Sequence, residues 1–285
     1  MNIAIVGSNG YIAGYLKEKL VKEGHMLLKI DKEGEDVHVL DLKCPEKFEY
    51  FVLESVDLIV FTAAVSSPDK CAEEYDACWK INVEGTKYFI REATSRGCRV
   101  LFFSSDAVYG DIPGYIYTED SELKGDTAYG RMKRTVEEEF RDNSYFKSIR
   151  LSYVMSAEDR FISYCLNCIR KEVTAEIYHP FYRNVVSISD VADVVLWFAG
   201  HFDRYKPKAL NVAGRELVSR VRMADELNRI FNNRLSYTIT MPKANFFANR
   251  PMITEMKSLY LNEYGILKDE RFATKMQKEM EDILI

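Results

Sequence analysis

The sequence predicts an α/β fold: a Rossmann-type doubly wound parallel sheet with a smaller interleaved C-terminal substrate lobe. Three observations carry that expectation. Short apolar runs alternate with amphipathic stretches through the first half of the chain. A glycine-rich turn follows the first run directly. No repeat, low-complexity tract or flexible linker divides the chain. Strands buried on both faces read as short continuous Val/Ile/Leu/Phe runs, and their alternation with helices implies right-handed crossovers.

Strands are expected at Asn2–Val6, Met26–Ile30, Leu58–Thr62, Arg99–Phe103 and Lys147–Leu151. Helical patterns lie between them at Tyr11–Glu23, Tyr75–Arg96 and Tyr129–Arg141. The second half is less regular. It gives helices over Arg160–Lys171, Asp190–Gly200, Ser219–Phe231 and Asp269–Leu284, with short strands at Val185–Val186 and Leu210–Val212. Residues 1–154 are expected to form a dinucleotide-binding domain, with 184–213 returning to it. Residues 155–183 and 214–285 are expected to form the substrate lobe.

A chain of 285 residues suits such an arrangement. Its 47% hydrophobic and 29% charged residues are ordinary for a folded domain, and the net charge of −5 is spread without a basic block. Nucleic acid and membrane surfaces are therefore not expected partners. No stretch approaches the roughly 18 apolar residues of a membrane span. The first strand pattern lacks the basic flank of a signal peptide, so a cytoplasmic protein is expected. The six cysteines agree with a reducing compartment. Cys165-Leu-Asn-Cys168 has the spacing of a metal hook, but no second Cys/His pair completes four ligands, and no metal is expected.

The turn after the first strand reads Gly7-Ser-Asn-Gly-Tyr-Ile-Ala-Gly14. A strand-to-helix turn this tight needs residues without a Cβ clash, and its exposed N–H groups can hold a pyrophosphate at the helix start. Gly7, Asn9, Gly10, Tyr11 and Ile12 are the candidates there. Asp31 ends the second strand, where a carboxylate accepts hydrogen bonds from the adenosine ribose and repels a 2′-phosphate. That favours NAD, while the adjacent Lys32 leaves NADP open. Asp41-Leu42 is placed near the adenine, and Thr62-Ala63-Ala64 gives small side chains where a dinucleotide crosses the sheet edge.

Tyr129 precedes Lys133 by one helical turn, so the two share a face. A phenol titrates near 10, and a neighbouring ammonium is expected to lower it toward proton exchange at neutral pH. Tyr129 would then act as general acid or base, with Lys133 also reaching the nicotinamide ribose. Ser105, in the Ser104-Ser105 pair ending an apolar run, would donate to the reacting oxygen.

These motifs resemble the extended short-chain dehydrogenase/reductase family, which includes NAD-dependent epimerases and dehydratases of nucleotide-linked sugars. The resemblance runs nearly the whole chain: GSNGYIAG, DLIVFTAA, Asn82-Val-Glu-Gly-Thr86, SSDAVYG, YGRMK and Tyr182–Val195. It implies catalytic roles for Ser105, Tyr129 and Lys133, and Asn82 and Ser104 beside the cofactor. It also implies Asp106, Arg183 and Arg250 toward the substrate, whose diphosphate an arginine fork suits. Family members pair through the helices of the Asn82 and Tyr129 segments, so a homodimer is consistent with the resemblance.

One departure narrows the reaction. Family dehydratases carry a glutamate after the aspartate of this segment, and fucose-forming enzymes carry a cysteine; here it is Ala107. That leaves reduction of a 4-keto sugar or 4-epimerisation. The Ser-Asp-x-Val order and compact length resemble the dTDP-4-dehydrorhamnose reductase branch, whose third glycine differs from the Ala13-Gly14 found here. A third alternative, a non-catalytic nucleotide-binding regulatory subunit, keeps the fold without the chemistry. His179-Pro180-Phe-Tyr-Arg183 matches no particular sugar.

Overall fold

In the computed structural model, which describes residues 1–284, the first half forms β1 (Asn2–Val6), α1 (Tyr11–Lys22), β2 (Met26–Asp31), β3 (His38–Val39) and β4 (Leu58–Phe61). It continues through α2 (Pro68–Glu73), α3 (Tyr75–Trp79), α4 (Thr86–Ser95) and β5 (Arg99–Ser105). Then follow β6 (Ile116–Tyr117), α5 (Ala128–Phe140), β7 (Phe146–Leu151), β8 (Val154–Met155), α6 (Arg160–Lys171), β9 (Ala175–Tyr178) and β10 (Tyr182–Asn184). The remainder is β11 (Val186–Ser187), α7 (Ile188–His201), β12 (Ala209–Val212), β13 (Leu217–Ser219), α8 (Arg220–Ile230), β14 (Tyr237–Thr240), β15 (Ile253–Met256) and α9 (Phe272–Glu279).

Seven strands make the main sheet in the order β12-β7-β5-β4-β1-β2-β3. β1 pairs in parallel with both β2 and β4, so the order reverses direction at β1. That is the switch point of a doubly wound sheet, where a ligand crevice opens beyond the strand ends. β1, β4, β5 and β7 are buried almost throughout, which is why they read as unbroken apolar runs. Phe61, Phe89 and Phe102 centre the core on one face.

The chain divides into two compact units. The first comprises 1–110, 122–150 and 192–210; the second comprises 111–121, 151–191 and 211–285. The boundaries drawn from sequence placed 111–121, 151–154, 184–191 and 211–213 with the first unit instead. Pairing accounts for three of these: β6 joins β15, and β10 joins β13 and β15, in a four-stranded sheet of the order β13-β10-β15-β6, while β11 joins β8 in a two-stranded one. The second unit has its own core around Phe161, Ile169, Leu227 and Met276.

Two helices differ from expectation. The stretch expected as one helix over Tyr75–Arg96 is interrupted by a π-helical segment, Lys80–Gly85, between α3 and α4. The interruption lets Asn82 turn its amide onto residue 65 and lets Gly85 come against Leu42, where a Cβ would meet the Leu42 carbonyl at 1.8 Å. The last helix spans Phe272–Glu279 rather than Asp269–Leu284. The Phe272 N–H donates to Glu216 at 2.6 Å, which fixes its start. Among the described residues no helix is long and apolar enough to cross a membrane, and no cluster of His, Cys, Asp or Glu could hold a metal. Cys165 and Cys168 are buried free thiols.

Candidate active site

The first unit contains a cleft of about 480 Å³ beyond the ends of β1, β2 and β4. Gly7 forms its floor with φ +86°, a conformation that L side chains rarely adopt, and a Cβ there would sit 2.7 Å from the Ala63 backbone. Thr62 closes the same corner by donating its hydroxyl to the Val6 carbonyl at 2.8 Å. Asp31 accepts from the Asn9 N–H at 2.8 Å through one oxygen and from the Lys32 N–H at 2.7 Å through the other. The acid thereby ties the glycine turn to the end of β2. Asn9 continues the link by donating its amide to the Glu33 carbonyl.

Gly7, Asn9, Gly10, Asp31, Asp41, Leu42, Thr62, Ala63 and Ala64 all line this cleft. Tyr11 and Ile12 follow in the first turn of α1 and do not line it. Asn82 also stands outside. It is 2% exposed, and its amide clamps residue 65 from both sides, accepting from the Val65 N–H at 2.8 Å and donating to the Val65 carbonyl at 2.9 Å. The sequence did not single out Lys70, Glu74 or Cys78, which line the cleft from α2 and α3. The shape and chemistry of this cleft suit a dinucleotide. Its glycine floor admits close backbone approach, and a carboxylate with unused acceptor capacity stands at the end of β2.

The reacting groups come from β5 and α5. Ser105 ends β5; its hydroxyl accepts from the Ala107 N–H at 3.2 Å and donates to Asp106 at 3.0 Å. Ser104 beside it is buried, with an unpaired hydroxyl. α5 begins at the Thr127 cap and carries Tyr129, Gly130 and Lys133. Gly130 sets how closely this helix meets the Ser105–Val108 turn, since a Cβ there would lie 2.3 Å from the Ala107 carbonyl. Tyr129 is thus pressed beside that turn, against a cluster of Cys71, Cys78, Val83 and Met132. Ala107 itself supplies neither acid nor thiol.

Lys133 is 2% exposed and donates to the Phe103 carbonyl at 2.8 Å. Its ammonium is 5.8 Å from the Tyr129 ring centroid and 4.5 Å from that of Phe102. The expectation that Lys133 lowers the Tyr129 pKa is not met. Burial pushes the Tyr129 hydroxyl well above its usual value, with Cys71 and Asp106 adding to the rise. Burial also brings Lys133 down to about 7, against opposing pulls from Glu137 and Cys71. Desolvation is the leading cause of both shifts, upward for the phenol and downward for the ammonium.

Arg183 and Arg250 belong to the second unit. Arg183 is 7% exposed; its guanidinium donates to the carbonyls of Tyr182 at 2.6 Å and Pro251 at 2.7 Å. Arg250 donates to the Phe246 carbonyl at 2.8 Å and lies over that ring at 4.5 Å. Both add positive potential at Arg220, a residue the sequence did not mark.

The chain is 28% identical over 140 residues to the spore coat polysaccharide biosynthesis protein SpsK of Bacillus subtilis, covering 49% of this chain and 48% of that one. It spans about half the length of the curated relatives it matches. Among solved structures it superposes on a dTDP-4-dehydrorhamnose reductase from Clostridium acetobutylicum with a TM-score of 0.81 at 20% identity, covering 99% of both chains. It superposes equally on the Thermus thermophilus UDP-glucose 4-epimerase complex with NAD, with a TM-score of 0.81 at 15% identity and 100% coverage of both. These structural likenesses show the shared fold. The profile of the NAD dependent epimerase/dehydratase family matches residues 3–213, well over half the chain, and the chain belongs to that family.

Proposed function

We propose that this protein is an NAD(P)-dependent reductase of a keto group on a nucleotide-linked sugar, of the 4-keto-6-deoxyhexose type. The observation that carries this reading is the placement of Tyr129 on α5, which Gly130 seats against the Ser105–Val108 turn. A phenol beside the Ser105 turn is placed to give its proton to a developing alkoxide. A nicotinamide dinucleotide, held by Gly7, Gly10 and Asp31, supplies the hydride when bound. Tyr129 gives its proton to the substrate oxygen, and Ser105 polarises that oxygen. Lys133, fixed on Phe103, holds the face on which Tyr129 lies and would hold the cofactor ribose. Asp106 orients the Ser105 hydroxyl.

Ala107 supports reduction over dehydration, since no side chain there can abstract a proton. The carboxylate of Asp31 supports NAD over NADP. The 4-epimerase reading is the second one, supported by the fold shared with an epimerase complexed with NAD. One experiment separates the two. The protein is incubated with reduced cofactor and a panel of nucleotide-linked 4-keto-hexoses, following nicotinamide absorbance. Net consumption supports the reductase. Stoichiometric NAD carried through purification, with sugar inversion and no net consumption, would replace it by the epimerase. A Tyr129→Phe protein unchanged in every activity would leave the non-catalytic reading.

A further inference from the structure

The second unit holds a cavity of about 240 Å³, lined by the chain after β12, the chain after β15 and the start of α9 with the residues before it. Its backbone is fixed by bonds within the protein. Gly214 packs so closely that a Cβ there would meet the Val185 carbonyl at 1.9 Å, and its own carbonyl accepts from the Asn184 amide at 3.1 Å. The Ser258 hydroxyl donates to Glu119 at 2.6 Å and accepts from the Tyr260 and Leu261 N–H groups, each at 3.1 Å. Lys257 enters that turn with its N–H on the Tyr117 carbonyl at 2.8 Å and its carbonyl on the Asn211 amide at 2.9 Å.

Four cations line this cavity, Arg215, Lys257, Lys268 and Lys275, against two carboxylates, Asp269 and Glu270. In a chain of net charge −5 this is a local reversal of sign. Both carboxylates are already engaged. Glu270 takes the ammonium of Lys278, which is outside the lining, on its two oxygens at 2.9 and 2.7 Å. Asp269 pairs with Arg215 at 3.5 Å. Lys275 is 7% exposed and donates to Asp190 at 2.7 Å, one bond from a group that carries three donors. Lys257 lies 3.9 Å from Glu255, the outer edge of an ion pair, and Lys268 makes no ion pair with a described residue. The protein's own acids thus leave the cavity with a surplus of positive charge that a dianion would balance.

We propose that this cavity binds a phosphate monoester of about the size of a sugar phosphate. Such an ester carries close to two negative charges near neutral pH, and lysine ammoniums meet phosphate oxygens as point charges. Leu261 and Leu267 line the cavity beside the cations and offer an apolar surface to a carbon skeleton. The volume is half that of the dinucleotide cleft, which suits a small ester and not a nucleotide-linked sugar. The site goes beyond the reductase reading and does not depend on it.

The test uses the full chain loaded with NAD. Calorimetry measures binding of glucose 6-phosphate, glycerol 3-phosphate, inorganic phosphate and glucose to wild type, Lys257→Met, Lys268→Met and the double variant. Both lysines are exposed, so the variants keep the fold. Lys22→Met removes the same charge from the exposed end of α1, in the first unit. Glucose 6-phosphate should bind wild type, each single variant should weaken it about 3- to 10-fold, and the double variant by more than about 10-fold. Lys22→Met should stay within about twofold, and glucose should not bind. Ester binding that the double variant leaves within about twofold overturns the proposal, as does the absence of ester binding to wild type. Inorganic phosphate bound as tightly as the esters overturns the ester assignment. A measurement on wild type needs no variant: in acetic anhydride labelling read by mass spectrometry, glucose 6-phosphate should slow modification of Lys257 and Lys268 and leave that of Lys22 unchanged. Unchanged rates at the first two count against the proposal. Its failure would leave the reductase reading standing, since neither lysine lines the dinucleotide cleft.

Discussion

Lys133 gives its hydrogen bond to the Phe103 carbonyl at 2.8 Å and not to Tyr129, whose ring centroid lies 5.8 Å away. The lysine is thereby anchored to the end of β5, and burial brings its pKa to about 7. Two pH effects follow. The cationic form of Lys133 falls away as pH rises through about 7, so activity should show an ionisation there that Lys133→Met lacks. Stability moves the other way. The folded lysine binds fewer protons than the unfolded one between about 7 and the usual 10.5, so this residue makes stability rise with pH across that window. The cost of burying it is fully present below about pH 7 and is relieved above. Denaturant titrations from pH 6 to 10 should show a steeper rise for wild type than for Lys133→Met; identical slopes would contradict the burial-driven shift.

Tyr129→Phe removes the proton donor while keeping the ring that packs on Cys71 and Met132. Turnover should fall by roughly 10²- to 10⁴-fold, the range of a positioned acid, with cofactor affinity held within about twofold. Ser105→Ala should lower kcat more than it changes KM, because its hydroxyl serves the developing charge. Stopped-flow single turnover separates chemistry from release. A Tyr129→Phe protein within tenfold of wild type would remove the phenol from the reaction.

Three glycines in similar sequence settings should respond in opposite ways. Gly7→Ala would place a Cβ 2.7 Å from the Ala63 backbone at φ +86°, and Gly130→Ala would place one 2.3 Å from the Ala107 carbonyl. Both should destabilise by about 1–3 kcal/mol. The first should also lose dinucleotide binding, and the second should lose turnover with binding kept. A Cβ at Gly14, within α1, meets open space, so Gly14→Ala should stabilise by about 0.5–1 kcal/mol. Melting temperatures and NADH fluorescence titrations check all three.

The first half of the fold was legible because its strands are buried on both faces and carry a continuous apolar signal. The glycine turn and Asp31 were legible because spacing alone places them at the ends of consecutive strands. What escaped depends on contacts distant in sequence. The interruption at Lys80–Gly85 needs Leu42 and Val65, which no periodicity places beside it. The upward shift at Tyr129 comes first from desolvation, which an i,i+4 lysine on a helix face does not report. Arg220 lies in an amphipathic stretch that reads as an ordinary surface helix, and its aromatic neighbours come from three other segments.

Beneath the site, Glu137 and Arg150 form a buried ion pair at 2.7 Å, with side chains 5% and 8% exposed. Glu137 also accepts from Ser148 at 3.0 Å, and Arg150 donates to the Tyr109 hydroxyl at 2.7 Å. The pair joins α5, one turn beyond Lys133, to β7 and to the chain just after the Ser105 turn. Removing one partner strands the other charge in the interior, so Arg150→Met or Glu137→Gln should each cost about 3–5 kcal/mol. Removing both should cost clearly less than the sum, since neither charge is then left unpaired. Because the opposing pull on Lys133 comes first from Glu137, Glu137→Gln should move the Lys133 ionisation further down. The activity profile of a refolded Glu137→Gln protein measures that shift, and an unmoved or raised ionisation would show that Glu137 serves only to hold the helix.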